Sequence, residues 1–336
     1  MYDLPSLKKL CDTPQCIAIL IHHRPDADAL GSGLGLAAFL KKKHHRVFVI
    51  APSPFPKFLD WMPGAQELIT ADRGNYDEAV ACLHQADTIF CLDFSSLGRA
   101  NDLKEALAAA KATKVVIDHH QDPEQFADFY FWDTKASATA ELIYQVIEAM
   151  GEESLVDSDI ASCLYAGIMT DTGSFRNPNT TISSHTTTAK LIQKGADTTR
   201  IYRLIYENNS LERLKFFGFA ITQRLFILKE YNAAYFVIRQ EDFKKFNLKT
   251  GDTEGLINYA LAIEGIVLAA IIKDKRDIIR ISLRSSGEIP VNEWAREHFA
   301  GGGHKNASGG SSSLSLEETV KKFKEIVKEN KHLLKR

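Results

Sequence analysis

The fold is indicated by the stretch CIAILIHHRPDADALGS at residues 16–32. Residues 16–22 form a continuous apolar run that ends at His22, which is typical of a strand buried on both faces of a sheet. Residues 29–43 then alternate small and large apolar side chains and end in three lysines. Cations at that position favour the C-terminus of a helix. The stretch therefore predicts a strand, a polar loop and a helix.

The same alternation continues along the chain. Short apolar runs at residues 47–50, 88–92 and 114–117 predict further strands, and residues 103–111 between the last two are helical in pattern. Strands that alternate with helices predict an α/β fold, with a parallel sheet covered by helices on both faces. Glycines at positions 31, 33 and 35 do not fit the spacing of a dinucleotide-binding loop, so we interpret them as packing the first helix tightly on the sheet.

The second part of the chain has a different texture. Residues 184–228 are helical in pattern and are interpreted as a connector. Beyond them, β-rich stretches at 233–238, 265–272 and 278–283 precede two helical segments, which lie on either side of the glycine-rich run GGGHKNASGG at residues 301–310. This pattern predicts a smaller second α/β domain.

Composition excludes several classes of protein. The 336 residues are 45% hydrophobic and 25% charged, with a net charge of −2, whereas proteins that grip long nucleic acid are strongly basic. No apolar run approaches the ~20 residues of a membrane helix, and the first residues lack the pattern of a secretory signal. The five scattered cysteines suit reduced thiols. We expect a cytoplasmic protein that binds neither membranes nor long duplex nucleic acid.

Acidic and imidazole side chains follow the predicted strands where each strand ends. The carboxyl ends of parallel strands meet at one edge of a sheet, where ligands bind, so we expect these side chains to lie together. One further carboxylate follows the predicted helix at residues 160–169. The set is His22, Asp26, Asp28, Asp93, Asp118, His119, His120 and Asp171.

So many neighbouring carboxylates require cations. Without them, burial and like-charge repulsion would raise several of their pKa values sharply. Oxygen and imidazole ligands without thiolate favour two Mn²⁺ ions, with Mg²⁺ or Co²⁺ as alternatives. Two such ions form a clamp for the hydrolysis of phosphate esters.

Each ion is expected to have one imidazole and at least two carboxylates as ligands. The first set is His22, Asp26 and Asp93, and the second is Asp28, Asp93, His119 and Asp171. Asp93 belongs to both sets and would bridge the ions. Asp118 is expected to orient a ligand imidazole from outside, and His120 to face a phosphate oxygen as donor or general acid.

These motifs resemble those of the DHH phosphoesterase family. Residues 22–32, Asp93, residues 118–120 and Asp171 match its motifs one to four, and residues 301–310 resemble the GGGH signature of its DHH-associated C-terminal domain. The absence of further domains resembles the NrnA-type members, which are nanoRNases that also act on 3′-phosphoadenosine 5′-phosphate. The resemblance implies the family fold, with the active site in the cleft between two domains, and its manganese dependence.

The resemblance also implies a domain organisation. We expect a metal-binding catalytic domain over residues 1–185, a helical connector over 186–228 and a substrate-binding domain over 229–336. Substrate-contacting positions of the family are matched by a set of residues in both domains. They are Arg99, Arg284, Gly302, Gly303 and His304. The consecutive glycines let the backbone approach a ligand closely and offer N–H groups to an anion.

The main functional hypothesis is a Mn²⁺-dependent phosphodiesterase and phosphatase. It would hydrolyse short oligoribonucleotides to mononucleotides and remove the 3′-phosphate of phosphoadenosine phosphate. Within the same class, the alternatives are linear or cyclic di-adenylate, polyphosphate and pyrophosphate as substrates. From a different class, the alternative is a nucleotide-binding regulator without turnover. The sequence is also compatible with a homodimer.

Overall fold

The chain divides into two compact units, Met1–Asn208 and Asn209–Arg336. The computed structural model describes residues 4–72, 74–249 and 251–335. The division at Asn208 falls inside the segment predicted as a helical connector, so that the helices of this segment are shared between the two units.

The first unit is built on a six-stranded sheet in the order β3-β2-β1-β4-β5-β6. The strands are β1 (Cys16–Ile21), β2 (Arg46–Ala51), β3 (Ile69–Thr70), β4 (Thr88–Leu92), β5 (Thr113–Asp118) and β6 (Phe129–Trp132). Every neighbouring pair is parallel, which confirms the predicted α/β class. The order reverses between β1 and β4, and such a reversal creates a crevice at the carboxyl ends of the two strands.

Helices cover both faces of this sheet. They are α1 (Leu4–Asp12), α2 (Ala27–Lys42), α3 (Tyr76–Gln85), α4 (Lys104–Ala109), α5 (Thr139–Ala149), α6 (Ser158–Asp171), α7 (Ile182–Gln193) and α8 (Thr198–Tyr206). Alternate residues of β1 enter opposite cores: Ile17 and Ile19 pack with α2, α5 and α6, while Ala18 and Leu20 pack with α3 and α4. A strand buried on both faces explains the uninterrupted apolar run of residues 16–21.

The glycines of α2 allow two different close approaches. A Cβ at position 33 would lie 2.9 Å from the Ile21 side chain, so Gly33 packs the helix on the sheet as predicted. A Cβ at position 31 would lie only 2.3 Å from the backbone oxygen of Cys163 in α6. Gly31 therefore sets the distance between α2 and α6.

The second unit contains a mixed six-stranded sheet in the order β11-β12-β10-β9-β8-β7. Its strands are β7 (Leu225–Leu228), β8 (Ala233–Ile238), β9 (Leu268–Asp274), β10 (Ile279–Ser285), β11 (Gly302–His304) and β12 (Ala307–Ser312). Its helices are α9 (Leu211–Gln223), α10 (Gln240–Lys245), α11 (Leu256–Leu261), α12 (Val291–Phe299) and α13 (Leu316–Glu329). In this sheet β8 and β9 pair in parallel, and the other neighbouring strands named here pair antiparallel. Helices α12 and α13 share a core on one face, while α9 and α11 cover the other.

The glycine-rich run forms the antiparallel pair β11 and β12 rather than an irregular loop. A Cβ at position 301 would lie 2.0 Å from the backbone oxygen of Gly309, and one at position 310 would lie 2.4 Å from that of Phe299. These glycines are therefore required by close backbone packing. Within the described residues, no helix has the length and apolarity needed to span a bilayer.

Gly31→Ala should destabilise the first unit by about 1–3 kcal/mol, because the added methyl group forces α2 away from α6. The matched control is Gly218→Ala in α9, where a Cβ would meet nothing within 4 Å. That substitution should stabilise the protein by about 0.5–1 kcal/mol through helix propensity. Urea unfolding followed by circular dichroism measures both, and a Gly31→Ala protein as stable as wild type would contradict this packing.

Candidate metal centre

The predicted ligands come together at the carboxyl edge of the parallel sheet. His22 directly follows β1, Asp93 directly follows β4, and Asp118 ends β5. The Nε2 atom of His22 lies 3.3 Å from Oδ2 of Asp93, across the point where the strand order reverses. The sheet topology therefore explains why residues from separate segments of the chain share one crevice.

His119 lies at the centre of three carboxylates. Its Nε2 atom is 3.5 Å from Oδ1 of Asp93, 3.7 Å from Oδ2 of Asp28 and 3.6 Å from Oδ2 of Asp171. Asp28 comes from the first turn of α2 and Asp171 from the last residue of α6. The close packing of these two helices brings the two carboxylates to the same imidazole.

The ligand atoms form three compact groups, each with donor atoms within 4.8 Å of one another. The groups are His22, Asp26 and Asp93; Asp28, His119 and Asp171; and Asp93, Asp118 and His120. The first group has the members of the first predicted ligand set. The second has those of the other set except Asp93, whose Oδ1 atom lies 3.5 Å from His119 Nε2.

Asp118 contacts His120 and not His119, the imidazole at the centre of the cluster. The Nδ1 atom of His120 lies 2.8 Å from Oδ1 of Asp118, whereas Nδ1 of His119 lies 3.2 Å from the carbonyl oxygen of Ala136. Asp118 thus orients the histidine that was predicted to face phosphate, and a backbone carbonyl orients His119.

The site is buried at its base and open on one side. The carboxylates of Asp28, Asp93 and Asp118 are buried, while the Asp171 side chain is 22% exposed and that of Asp26 is 63% exposed. A small polar molecule can therefore approach the cluster from the side of Asp26.

Burial makes the cluster electrostatically costly. Burial, reinforced by Asp93, holds the pKa of Asp28 well above its usual value, and burial raises the pKa of Asp171 to about 6, although His119 opposes that rise. Burial also works against ionised Asp93, but hydrogen bonds with His119 and His22 hold its pKa well below the usual value. Burial also disfavours ionised Asp118, but its hydrogen bond with His120 outweighs this effect and lowers its pKa. The imidazoles therefore compensate the charges of Asp93 and Asp118 but not those of Asp28 and Asp171.

The donor set fits divalent cations. Carboxylate oxygens and imidazole nitrogens are ligands of Mn²⁺, Mg²⁺ and related ions, and bound cations would remove the cost of crowding buried carboxylates. The site therefore matches a metal centre in donor chemistry, spacing and charge.

Local backbone geometry aims the side chains. Asp26 caps α2, since its Oδ1 atom accepts hydrogen bonds from the backbone N–H groups of Asp28 and Ala29. Asp93 has φ of 63°, a left-handed conformation that costs a non-glycine residue free energy and occurs preferentially at functional sites. Its N–H group donates to the carbonyl of Ile117 on the neighbouring strand. The strand thus ends in a sharp turn that directs Asp93 into the crevice.

The sequence interpretation missed the residues that form hydrogen bonds with the proposed metal ligands. Thr139 donates its hydroxyl to Asp93, and its backbone N–H group donates to Asp28. Asn179 donates to the carbonyl oxygens of Ser137 and Asp171. The sequence around Thr139 shows only a cluster of small and polar residues at the start of a helix. Ordinary helices often begin with such residues, so this pattern does not identify a functional role.

The predicted substrate-contacting residues lie in both units. Arg99 is exposed in a short 3₁₀ helix (Leu97–Leu103) that follows Asp93, and its carbonyl oxygen accepts the N–H group of His23. In the second unit, Arg284 of β10 and His304 of β11 are both register partners of Ala307 in β12. They therefore occupy neighbouring positions on the sheet. Gly302 and Gly303 precede His304 in the same strand.

Known proteins resemble the chain over most of its length. It matches the DHH family, N-terminal domain, over residues 16–168 and the DHHA1 domain over residues 230–331. It is 32% identical over 294 residues to the bifunctional oligoribonuclease and PAP phosphatase NrnA of Bacillus subtilis (strain 168), covering 86% of this chain and 87% of that protein.

A solved structure and a more distant relative add to this comparison. An exopolyphosphatase-related protein from Bacteroides fragilis is 37% identical, with a TM-score of 0.94 and coverage of 99% of this chain and 97% of that one. The cyclic-di-AMP phosphodiesterase GdpP of Geobacillus thermodenitrificans is 25% identical over 96% of this chain and 48% of that protein. The similarities to the Bacillus subtilis and Bacteroides fragilis proteins cover at least 86% of each chain and agree with the motifs and the geometry. The chain belongs to the DHH family and combines its N-terminal DHH domain with a DHHA1 domain.

Proposed function

We propose that the protein is a Mn²⁺-dependent phosphodiesterase and phosphatase. Its substrates would be short oligoribonucleotides, hydrolysed to mononucleotides, and 3′-phosphoadenosine 5′-phosphate, which loses its 3′-phosphate. The observation that carries the proposal is the convergence of His22, Asp93, His119 and Asp171 on one crevice. The similarity to a protein named as a bifunctional oligoribonuclease and PAP phosphatase supports the choice of substrates.

The cations would be held by the two predicted ligand sets. The sets are His22, Asp26 and Asp93, and Asp28, Asp93, His119 and Asp171. When bound, a pair of divalent ions lowers the pKa of a coordinated water and polarises the oxygens of a phosphate ester. Mn²⁺ is proposed over Mg²⁺ because each set includes an imidazole, a ligand that suits transition metals.

His120 would supply a proton or a hydrogen bond to the phosphate. Its Nδ1 atom pairs with Asp118 at 2.8 Å, so the ring would donate to substrate from Nε2. Burial disfavours the charged ring, but the hydrogen bond with Asp118 and the nearby Asp93 outweigh that effect and raise its pKa. A protonated His120 beside the cluster can therefore stabilise negative charge on the leaving or non-bridging oxygen.

Arg99 and the DHHA1 domain would bind the rest of the substrate. The guanidinium groups of Arg99 and Arg284 match the geometry of a phosphate, and His304 lies in the strand next to β12. Gly303 has φ of 132°, which strains any other residue. A Cβ at Gly302 would meet nothing within 4 Å, so packing within the protein does not explain a glycine there. A ligand close to the backbone would explain it.

A specific observation favours one alternative substrate. The similarity to a cyclic-di-AMP phosphodiesterase covers 96% of this chain, so linear and cyclic di-adenylate belong in a substrate panel with polyphosphate and pyrophosphate. We expect short oligoribonucleotides and 3′-phosphoadenosine 5′-phosphate to be hydrolysed with the highest kcat/KM of this panel. A regulator without turnover is disfavoured because the side chains of both proposed ligand sets lie close enough together to hold cations.

Asp93→Asn should abolish hydrolysis of a labelled dinucleotide and of phosphoadenosine phosphate in the presence of Mn²⁺. Substitution of a residue that only supports a metal ligand typically costs 10–100-fold. Because Asp93 is itself a proposed ligand, we expect kcat to fall further, on the order of 10³-fold or more. The matched control is Asp87→Asn at the amino end of the same strand, where the carboxylate accepts the N–H group of Cys16. Equal activity of the Asp93 variant and wild type would exclude the bridging role.

Mn²⁺ should stabilise the protein against heat. At a free concentration 100 times the dissociation constant, binding adds about 2.7 kcal/mol, which raises the Tm of a unit of this size by about 5–10 °C. Differential scanning calorimetry in EDTA and in Mn²⁺ measures the shift, and Asp93→Asn should reduce it. Identical Tm values in the two buffers would argue against a metal centre.

Gly302→Ala should raise KM for the dinucleotide by about tenfold, the effect of losing about 1.4 kcal/mol of binding, with little change in Tm. The methyl group would occupy the space proposed for the ligand. Gly218→Ala serves as the control, since it adds the same group where a Cβ also meets nothing within 4 Å. If KM is unchanged, Gly302 does not lie against the substrate.

A further inference from the structure

We propose that residues 136–140 form a positioning segment that builds the second of the two metal sites, with Thr139 as its central residue. The inference rests on the proposed function, because it assigns these residues a role toward the same cations. The segment reads Ala-Ser-Ala-Thr-Ala and leads into α5. Both of its polar side chains, Ser137 and Thr139, are buried.

The first contact is between the start of α5 and Asp28. The backbone N–H groups of Thr139 and Ala140 donate to Oδ2 and Oδ1 of Asp28, at 2.7 and 2.9 Å. The first N–H groups of a helix have no partner within the helix, and here a carboxylate 111 residues away in sequence accepts them. Ser32 donates to the same carboxylate at 3.3 Å. Asp28 is thus fixed through both of its oxygens.

The second contact is the Thr139 hydroxyl. It donates to Oδ1 of Asp93 at 2.9 Å. The helix does not need this hydroxyl as a cap, because Ala138 is the N-cap residue and Thr139 is already helical. A single residue therefore holds two metal-binding carboxylates, Asp28 through its backbone and Asp93 through its side chain. This is the arrangement expected of a residue that does not bind the metal itself but orients its ligands through hydrogen bonds.

The remaining contacts reach the other two ligands of the second set. The carbonyl oxygen of Ala136 lies 3.2 Å from Nδ1 of His119, which directs Nε2 of that ring toward the carboxylates. The carbonyl oxygen of Ser137 accepts a hydrogen bond from Asn179 at 3.0 Å, and the same amide group donates to the backbone oxygen of Asp171 at 3.3 Å. Asn179 thereby connects the segment to the end of α6.

Most contacts of the segment are with the second set. Asp93 belongs to both sets, but the Thr139 hydroxyl contacts its Oδ1 atom, which lies 3.5 Å from Nε2 of His119, whereas its Oδ2 atom lies 3.3 Å from Nε2 of His22. Every proposed ligand of the second ion is touched by the segment directly or through Asn179. The two remaining ligands of the first ion are held within their own loop: Nδ1 of His22 lies 2.9 Å from the carbonyl oxygen of His23, and Asp26 accepts the N–H groups that it caps. The segment should therefore affect the affinity of the second ion and leave that of the first largely unchanged.

Thr139→Val tests this directly, because it removes the hydroxyl and keeps the shape of the side chain. We expect one of the two Mn²⁺ affinities, measured by isothermal titration calorimetry, to fall about 10–100-fold. The other should stay within about threefold of wild type, since His22 and Asp26 do not touch the segment and the Thr139 hydroxyl donates to Oδ1 of Asp93, not to the Oδ2 atom beside His22. At two equivalents of Mn²⁺, the electron paramagnetic resonance spectrum should change from a coupled pair of ions to a single bound ion. Thr139→Ser, which keeps the hydroxyl, should restore both readouts.

The matched control is Thr88→Val. Thr88 is fully buried at the amino end of β4, whereas Asp93 follows the carboxyl end of that strand. The Thr88 hydroxyl donates to the side chain of Gln15. This variant should lose stability without changing either Mn²⁺ affinity. Two unchanged affinities in Thr139→Val, an equal loss at both sites, or failure of Thr139→Ser to restore binding would overturn the inference. Wild-type protein that binds fewer than two ions would instead overturn the proposed function, and this inference with it.

Discussion

Repulsion among buried carboxylates is the constraint on which the first unit depends. Asp28, Asp93 and Asp118 are buried at one sheet edge, and Asp171 lies beside them. Their negative charges are expensive in such a place unless opposite charges or donors compensate them. The protein supplies imidazoles, backbone N–H groups and a hydroxyl, yet the pKa values of Asp28 and Asp171 remain raised. The residual negative charge is what makes the crevice a site for cations.

The fold meets this constraint with a topological device. Reversal of the strand order between β1 and β4 opens a crevice at their carboxyl ends, and glycine in α2 lets α6 approach closely enough to add a fourth carboxylate. The donors that restrain the ligands come from the start of α5. Sheet, helix contact and helix terminus each contribute one part of the site, so that no single segment contains it.

Much of this arrangement follows from the sequence, and the reasons are local. The apolar run at residues 16–21 is typical of a strand covered on both faces, and the polar residues after each run mark the functional edge. The short strands β3 and β6 escape such reasoning, because two and four residues carry too little pattern. The roles of Thr139 and Asn179 escape it as well, since the contacts of Thr139 span 46 and 111 residues. Sequence also could not tell which imidazole Asp118 contacts, because His119 and His120 are adjacent.

Asp28 accepts the first N–H groups of α5, and this distant cap has a consequence for folding. The first turn of this helix obtains its acceptor only after the chain has closed a loop of more than a hundred residues, which is entropically costly and slow. The cap of α5 is therefore complete only when the helix that carries Asp28 lies against it. Because Asp28 is also a proposed metal ligand, completion of the α5 cap and assembly of this part of the crevice are one and the same event.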